Sequence, residues 1–411
     1  MSQIGAFGRY NEDMKMNIEK IRESSIFYDG KFYDTGMDLD VPFSEAFRLT
    51  RVAKVDAEWL DVPYDPATFH QKHFFNFMGD VDMTSGFGGV SYSLIKESLK
   101  KYEIALAGRF LDVKDHQLFA ARNRALEQSA AMVWHDQPRD SWGYSPFRKN
   151  VAIVPFETTI IPSSWIPKIN AFDALLVPCK QNIEAFANSG VKVPIELIHW
   201  GVDPLRFAPV ERPERDIFTF GTMGYLTIRK GTDVLIEAFR EAFPREQDVR
   251  LICKTSFLHY PFGVNDKRIV VQQGAVSPKE MEDEFTKQID CFVFPTRGEG
   301  FGLTPLEMMA TGVPAIVTGW SGPMEYMNPE VGWLLDYKLA PAEAFTKLTY
   351  HEECGDWAEP SKDHLVQLLR HAYEHRDEVK QKGFAAQKYV QENWLWKDKI
   401  GMYHNALEKF L

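Results

Sequence analysis

The sequence predicts an α/β protein with two doubly wound halves, each built on a parallel sheet. Short apolar segments alternate with glycine-containing loops and helical segments in two series, one from His73 to about Ile198 and one from Ile217 onward. Between the series, residues 198–209 have no periodicity and are broken by Gly and Pro, which predicts an ordered linker. Two Rossmann-like halves joined in this way imply a cleft between them.

Composition narrows the classes of function. The chain has 411 residues, of which 45% are hydrophobic, and a formal net charge of −11. This charge argues against a nucleic-acid partner and against broad attraction to anionic lipid, so any phosphate must be held by local basic groups. The N-terminus has no apolar leader, and no apolar stretch approaches the ~18 residues that span a bilayer. We therefore expect a cytoplasmic protein, with peripheral membrane contact through a small patch left open.

The four cysteines have neither paired nor metal-type spacing, and two of them lie in apolar, strand-like runs. Buried free thiols in a reducing compartment are the expectation for all four: Cys179, Cys253, Cys291 and Cys354.

Residues 1–72 show no βα alternation. A short helix is predicted from Lys15 to Ser24, and a turn is predicted at Asp38–Pro42. Because this segment carries too many aromatic residues for a disordered tail, we expect an ordered extension packed on the first half. It is predicted either to shape which ligand the cleft takes or an oligomer contact, or simply to cover an apolar face.

The first half opens with a βαβ unit. A strand at Phe74–Met78 precedes a glycine-rich loop at Asp80–Gly89, a helix from Val90 to about Lys101 and a strand at Ile104–Ala107. The Asp80-Val81-Asp82 pattern at the loop start is interpreted as polar loop, not as a metal site. Further strands are predicted at Ala131–Trp134, Val151–Pro155, Ala174–Val177 and Ile195–Ile198.

The second half repeats the pattern. A strand at Ile217–Gly221 is followed by the loop Thr222–Gly231, a helix at Thr232–Phe243 and a strand at Arg250–Lys254. Later strands are predicted at Cys291–Pro295 and Ala315–Val317, and terminal helices at His364–His375, Glu378–Glu392 and Lys397–Phe410.

Two carboxylates eight positions apart, Glu299 and Glu307, lie in a glycine-rich loop and the helix that follows it. In an open α/β sheet, ligands bind at the carboxyl ends of the strands, and a helix N-terminus there suits a phosphate. Glu299 lies between Gly298 and Gly300, where nothing needs capping, so its carboxylate can accept hydrogen bonds from sugar hydroxyls. For Glu307 a structural role is also expected, as the third helical residue of a capping box with Thr304 at the N-cap.

A second anion site is predicted at Arg229-Lys230-Gly231, which ends a loop just before a helix. Cations at a helix N-terminus are out of place unless an anion joins them. A solvated basic pair on a surface turn is the alternative. Lys254, which ends the next strand, is a weaker candidate of the same kind.

These motifs together resemble a family. Gly298-Glu299-Gly300-Phe301-Gly302-Leu303 with Glu307 is similar to the E-x7-E signature of retaining GT-B glycosyltransferases, above all glycosyltransferase family 4. Residues 224–231 resemble that family's diphosphate loop, Gly201-Val202-Asp203 with Phe207 its linker, and residues 86–90 its N-terminal glycine loop. Residues 320–323 follow as in one branch of the family.

The resemblance covers residues 73–411 and implies a GT-B fold, with two Rossmann-like domains facing across a cleft and a C-terminal helix crossing back to the N-domain. The domains expected are an extension (1–72), an N-terminal acceptor domain (73–205), a C-terminal nucleotide-sugar donor domain (206–390) and the returning helix (391–411).

The resemblance also implies roles for residues. Glu307 binds the ribose, Glu299 contacts the donor sugar, and Lys230 neutralises the diphosphate leaving group. His135 follows a strand where the family often has a donor-contacting histidine, although a satisfied loop histidine is as well supported. The backbone groups of the glycine loop complete the donor site; they belong to Gly300, Phe301, Gly302 and Leu303.

Two features depart from or qualify the pattern. Gly224 is followed by Tyr225 where the family has a diphosphate arginine, so Arg229 or Lys254 must supply that charge or binding is weaker. Glu157, in an E-T…P…W stretch shared by a subset of the family, is expected to face the acceptor, and Gly88 and Gly89 belong to the N-terminal glycine loop.

The activity implied is metal-independent, cofactor-free transfer of a hexose from a nucleotide-diphosphate sugar to a glycan, lipid-linked or other hydroxyl acceptor, with retained anomeric configuration. A non-catalytic nucleotide-sugar-binding subunit and another enzyme on the same fold, such as an epimerase, are the alternatives. The base, the sugar, the acceptor and the oligomeric state do not follow from the sequence.

Overall fold

The computed structural model describes the backbone of residues 13–21, 26–28, 31–33, 38–42 and 55–60, and the chain at 73–82, 85–111, 115–138, 148–256, 264–274 and 278–411. Contacts divide the chain into two compact units, Met1–Ala130 and Ala131–Leu411. The predicted domain boundaries at 205/206 and 390/391 stay predictions.

The described residues before position 61 form five strands: β1 Asp13–Ile21, β2 Ile26–Tyr28, β3 Lys31–Tyr33, β4 Asp38–Pro42 and β5 Val55–Leu60. β1 pairs antiparallel with both β4 and β5, and β2 pairs with β3. The helix predicted from Lys15 and the turn predicted at Asp38–Pro42 are therefore wrong. The alternation in Met14-Lys15-Met16 is that of a strand.

The rest of the first unit holds the predicted βαβ pattern. Its elements are β6 Phe74–Gly79, β7 Val81–Asp82, α1 Gly86–Ser98, β8 Glu103–Ala107, β9 Phe110–Leu111 and α2 His116–Asn123. β6 pairs in parallel with β8, and β7 with β9. The buried run Phe75-Asn76-Phe77 is covered on both faces, as parallel strands usually are.

The second unit begins with four strands that pair in parallel in chain order. The elements are β10 Met132–His135, β11 Asn150–Ile153, α3 Ile166–Ile169, β12 Ala174–Val177, α4 Lys180–Asn188 and β13 Ile195–Leu197. All four residues of β10, β11 and β12 are buried.

A six-stranded parallel sheet follows. Its elements in chain order are β14 Phe218–Met223, α5 Thr232–Ala242, β15 Val249–Thr255, β16 Ile269–Gln273, α6 Pro278–Glu284, β17 Cys291–Phe294, α7 Leu303–Ala310, β18 Ala315–Thr318 and β19 Gly332–Leu335. The strand order is β16-β15-β14-β17-β18-β19. The direction of winding reverses between β14 and β17, which is the switch point of a doubly wound sheet.

The core of this sheet forms because α5 buries one face. Leu235 and Phe239 are fully buried against Phe220 of β14 and against Leu365 and Leu369 of a later helix. The spacing of four residues between Leu235 and Phe239 puts both on one side of the helix.

Two further strands and a helix form an excursion that we call the arm: β20 Tyr337–Pro341, α8 Glu343–Tyr350 and β21 Asp356–Pro360. β20 and β21 pair antiparallel. The arm packs on the segment after β11, where the Asp356 N–H donates to Thr159 Oγ1 (2.8 Å) and the Ser163 N–H donates to Glu352 Oε2 (2.7 Å).

Three helices end the chain: α9 Lys362–Glu374, α10 Arg376–Asn393 and α11 Trp396–Leu407. The chain end returns to the first half, as predicted. Val202 bridges Leu395, and Lys409 Nζ lies 2.6 Å from Glu196 Oε1 of β13. Gly201 is required here because a Cβ would lie 2.6 Å from the Trp396 nitrogen.

All four cysteines are free and buried, as predicted, while the reducing compartment stays a prediction. In the part of the chain that the structure describes, no helix is long and apolar enough to cross a membrane.

Candidate active site

The predicted site loops lie side by side at the switch point. Gly224–Gly231 follows β14, Thr296–Gly302 follows β17, and these two strands are direct neighbours in the sheet. The loops also bond each other, since the Arg297 N–H donates to the Arg229 carbonyl (2.7 Å). The crevice outside the carboxyl ends of strands at such a point is where open α/β sheets bind ligands.

Glu299 is the centre of an ionic cluster. Its side chain is only 9% exposed, and Oε1 accepts from Lys230 Nζ (2.7 Å), Arg229 Nη1 (3.0 Å) and Thr296 Oγ1 (2.9 Å). Burial alone would raise the pKa of Glu299, but the charges of Lys230 and Arg229 outweigh burial and hold that pKa below its usual value. The structure therefore brings together the carboxylate and the two cations, which the motifs taken singly predicted as two anion sites and the family resemblance as one donor site.

Arg229, and not Lys254, is the cation that joins Lys230. Arg229 Nη1 also donates to the Gly298 carbonyl (2.6 Å), which fixes its guanidinium against the second loop. Lys254 is buried at the end of β15, and its Nζ donates to the Gly274 carbonyl (2.9 Å). The Gly224 N–H donates to the Lys254 carbonyl (3.0 Å), while the side chain of Tyr225 is exposed.

The capping box predicted for Glu307 is wrong. The helix begins at Leu303, with Gly302 as N-cap in the left-handed conformation (φ 79°) and no side-chain cap, so Thr304 is the second helical residue and Glu307 the fifth. Glycine adopts this φ at low cost, which lets the helix start two residues earlier than the Thr304-Pro305 pair suggested.

Glu307 is a half-buried carboxylate that makes no hydrogen bond or ion pair with any residue in the described ranges. Burial raises the pKa of Glu307 to about 7, and the charge of Arg206 opposes this only in part. A half-buried carboxylate with a raised pKa and no structural partner is a candidate for binding a ligand.

The glycines of the second loop have a packing role that the sequence analysis missed. A Cβ on Gly298 would lie 2.0 Å from the Glu157 carbonyl oxygen, and one on Gly300 would lie 2.3 Å from Pro155 Cβ. These glycines let the loop backbone approach the segment after β11, so a ligand is not needed to explain them. Phe301, the residue after Gly300, is buried against Trp200 and Tyr326, with ring centroids 5.6 Å apart in both pairs.

His135 ends β10 and is buried. Burial lowers its pKa to about 3, so the imidazole is neutral at physiological pH. Its ring contacts Trp200 (centroids 6.1 Å apart), which in turn contacts Phe301 of the glycine loop. His135 is thus connected to the cluster through aromatic side chains.

Glu157 lies beside the loop at Gly224–Gly231. Its Oε1 lies 3.9 Å from Arg229 Nη2, and its Oε2 accepts from Tyr350 Oη of the arm (3.1 Å). The acceptor role predicted for this residue remains a prediction.

The N-terminal glycines are not in a loop. Gly88 and Gly89 lie in the first turn of α1, where the Gly88 N–H donates to Ser85 Oγ (3.0 Å). A Cβ on Gly88 would lie 2.5 Å from the Asp82 carbonyl oxygen, which explains that glycine by packing. Asp80 pairs with Arg109 (Nε to Oδ2, 3.0 Å), and Val81–Asp82 form the short strand β7, so the polar loop predicted to start at Asp80-Val81-Asp82 is wrong for its last two residues. Among the described residues, no group of three or more His, Cys, Asp or Glu is arranged to hold a metal ion.

Arg297 was missed by the sequence analysis. It is buried beneath the loops and pairs with Asp233 of α5 (Nη1 to Oδ1, 2.9 Å) and with Glu359 of the arm (Nε to Oε2, 2.6 Å). It also donates to the Ile228 carbonyl. These contacts join residues more than 60 positions apart, so no local pattern could have revealed them; they hold the first loop in its shape.

Comparison with known proteins gives one family match and several partial relatives. Residues 214–349 match the model of a family described as glycosyl transferases group 1. A lipopolysaccharide core biosynthesis mannosyltransferase of Rhizobium meliloti is 31% identical over 146 residues, which is 31% of this chain and 41% of that protein. A GDP-mannose-dependent alpha-mannosyltransferase of Corynebacterium glutamicum is 26% identical over 232 residues, covering 50% and 54%. The chain thus matches well under two thirds of the length of these relatives.

Solved structures show the fold. The Anabaena protein HepE, solved with UDP and glucose, has a TM-score of 0.59 at 13% identity, covering 82% of this chain and all of that one. A sucrose-phosphate synthase from Thermosynechococcus elongatus has a TM-score of 0.57 at 13% identity, covering 82% and 99%. With its parallel sheets, the chain has the α/β GT-B fold of two Rossmann-like domains, as predicted.

Proposed function

We propose that this protein is a glycosyltransferase that moves a hexose from a nucleotide-diphosphate sugar to a glycan, lipid-linked or other hydroxyl acceptor. The observation that carries the proposal is the contact of Lys230 and Arg229 with Glu299 between two loops at the switch point. The match of residues 214–349 to glycosyl transferases group 1, and relatives named as mannosyltransferases, support the same reaction class. A cytoplasmic location belongs to this proposal.

The donor diphosphate is proposed to lie between the two loops. α5 and α7 both begin at a left-handed glycine, Gly231 and Gly302, and neither helix has a side-chain cap. Their first-turn N–H groups and the positive ends of their dipoles suit phosphate oxygens. Lys230 adds a largely shielded ammonium beside them. The ribose is proposed to meet Glu307, and the sugar to meet Glu299 and the loop backbone.

Cleavage of the bond between sugar and diphosphate builds negative charge on the leaving oxygens and oxocarbenium character on the sugar. Lys230, Arg229 and the helix N-termini are positioned to stabilise that charge without reorganising. We propose that these groups suffice without a metal and that the sugar keeps its anomeric configuration, through attack on the face that the diphosphate leaves. His135 is proposed to contact the donor as a neutral imidazole.

The function is tested with a panel of UDP-, GDP- and ADP-sugars. We expect one donor class to raise the melting temperature, because a ligand that binds only the folded state stabilises it, and the same donor to release free nucleotide with an acceptor present. Binding without release would indicate the non-catalytic subunit. A changed sugar on an intact nucleotide would indicate an epimerase. Absence of binding across the panel would contradict the proposal.

Glu307→Gln is expected to weaken nucleotide binding without lowering stability. The carboxylate makes stronger, charge-assisted hydrogen bonds to hydroxyls than an amide does. Because the pKa of Glu307 is about 7, nucleotide affinity of the wild type should rise between pH 6 and 8, whereas that of the variant should stay flat. Calorimetric titration measures both the loss of affinity in the variant and the pH dependence of affinity in each protein.

The sign of the change in stability separates a nucleotide-binding role of Glu307 from a structural role. The folded-state pKa of Glu307 is raised, so its contribution to stability is fully present below the unfolded pKa and is lost as the pH rises through about 7. At pH 8 the variant should therefore melt no earlier than the wild type, with any gain fading toward pH 4.5, the usual pKa of a glutamate. A variant that melts early at every pH yet binds nucleotide normally would assign Glu307 a structural role.

A further inference from the structure

The ionic cluster carries no net formal charge. Its two cations, Arg229 and Lys230, face two carboxylates, because Glu157 joins Glu299 on the far side of the guanidinium. Arg229 Nη1 is 3.0 Å from Glu299 Oε1, and Nη2 is 3.9 Å from Glu157 Oε1. A site meant to hold a diphosphate as tightly as its cations allow would not need the second carboxylate.

Glu157 is held in place by groups that are not part of the donor loops. It lies in the segment after β11, its side chain is 21% exposed, and Tyr350 Oη of the arm donates to its Oε2 (3.1 Å). Tyr350 is in turn packed between the rings of Phe156 and Trp165, each with a centroid distance of 5.5 Å. The carboxylate is therefore fixed beside Arg229 by packed neighbours.

We propose that Glu157 sets the charge of the diphosphate site by offsetting Arg229, so that the nucleotide is held less tightly than two uncompensated cations would hold it. This rests on the proposed function. Transfer of the sugar leaves a nucleoside diphosphate with more negative charge than the donor had. A neutral cluster limits the affinity for that product and favours its release, while Lys230 still meets the leaving oxygens. Glu157 is on this account an affinity-setting residue and not a catalytic one.

The test is calorimetric titration of inorganic pyrophosphate into the full-length protein. Glu157→Gln keeps an oxygen to accept from Tyr350 and removes the negative charge, so we expect pyrophosphate to bind about fivefold more tightly and to lose affinity more steeply with added salt. Glu157→Asp keeps the charge but withdraws it from Arg229 by one methylene, and a smaller gain is expected.

Glu352→Gln is the matched control. Glu352 joins the same arm to the same segment by accepting from the Ser163 and Ser164 N–H groups, at 2.7 and 3.2 Å, and is not paired with Arg229. This variant weakens the contact between arm and segment while leaving the charge at Arg229 unchanged, so pyrophosphate affinity should stay at the wild-type value. Circular dichroism checks that each variant is folded.

Each outcome either supports or overturns the role proposed for Glu157. Pyrophosphate binding that is unchanged or weaker in folded Glu157→Gln overturns the role of Glu157 and leaves the diphosphate site standing. An equal gain in Glu352→Gln also overturns it, because displacement of the arm would then be the cause. If Glu157→Gln does not fold, unchanged affinity in Glu157→Asp counts against the proposal. Pyrophosphate that binds neither the wild type nor any variant removes the diphosphate site itself.

Discussion

Replacement of Lys230 with alanine is expected to lower kcat/KM for the donor sugar. The loss should correspond to roughly 2–4 kcal/mol of transition-state stabilisation, the range for removal of one preorganised electrostatic group. The Lys230 side chain is only 16% exposed, its ammonium lies 2.7 Å from Glu299 Oε1 and sits over the Phe294 ring (4.8 Å), so water cannot replace it at little cost. Steady-state kinetics with the donor identified by the panel measures the loss, and pyrophosphate binding should weaken in parallel.

The control for this variant is Lys287→Ala. Lys287 pairs with Glu282 and Asp283 on an exposed face, at 2.6 and 2.7 Å, and lies outside the candidate site. Its removal should leave kcat/KM unchanged, since exposed ion pairs contribute little. If Lys230→Ala retains the kcat/KM of the wild type, the leaving-group role assigned to Lys230 is wrong.

Gly231→Ala is expected to be among the most destabilising single substitutions in the second unit. Gly231 has φ +67°, and a Cβ there would lie 1.8 Å from the Pro295 carbonyl oxygen. The left-handed conformation costs a residue with a Cβ roughly 1–2 kcal/mol and overpacking about 1–3 kcal/mol, together about 2–5 kcal/mol. The melting temperature, recorded at one fixed scan rate, should fall by several degrees.

Gly190→Ala isolates the backbone part of that cost. Gly190 has φ +99°, and no described atom lies within 4 Å of its added Cβ. We expect its melting temperature to fall by less than that of Gly231→Ala. If the two variants melt together, the close approach of Gly231 to Pro295 does not constrain the loop.

The sequence predicts those parts of the fold and the candidate site that depend on residues close together along the chain. The strand at 291–294 is a short apolar run, and the strand at 218–223 has phenylalanines at alternate positions; each is followed by a glycine-containing loop, which is enough to predict a buried parallel strand. Their order in the sheet then places Lys230 beside Glu299, a pairing that the two motifs taken singly did not predict.

The missed features depend on contacts distant in sequence or on single dihedral angles. The capping box failed because the left-handed φ of Gly302 starts the helix early, and Thr304 by itself is a good N-cap. The arm was missed because β20 is largely exposed, with no buried face to produce alternation. Arg297 and Glu359 are far apart in sequence, and only the folded chain joins them.

Gly298 and Gly300 closely approach Glu157 and Pro155. This packing affects which residues a diverged homologue of this protein would conserve. A mutant that lost Lys230 is expected to transfer sugar poorly, yet the close packing of its loop would still require both glycines. Selection for folding alone would therefore preserve much of the loop motif in a copy whose chemistry had decayed. In such lineages the glycines would be retained because the fold needs them. Loss of activity would be recognised instead from substitutions at Lys230 and Glu307.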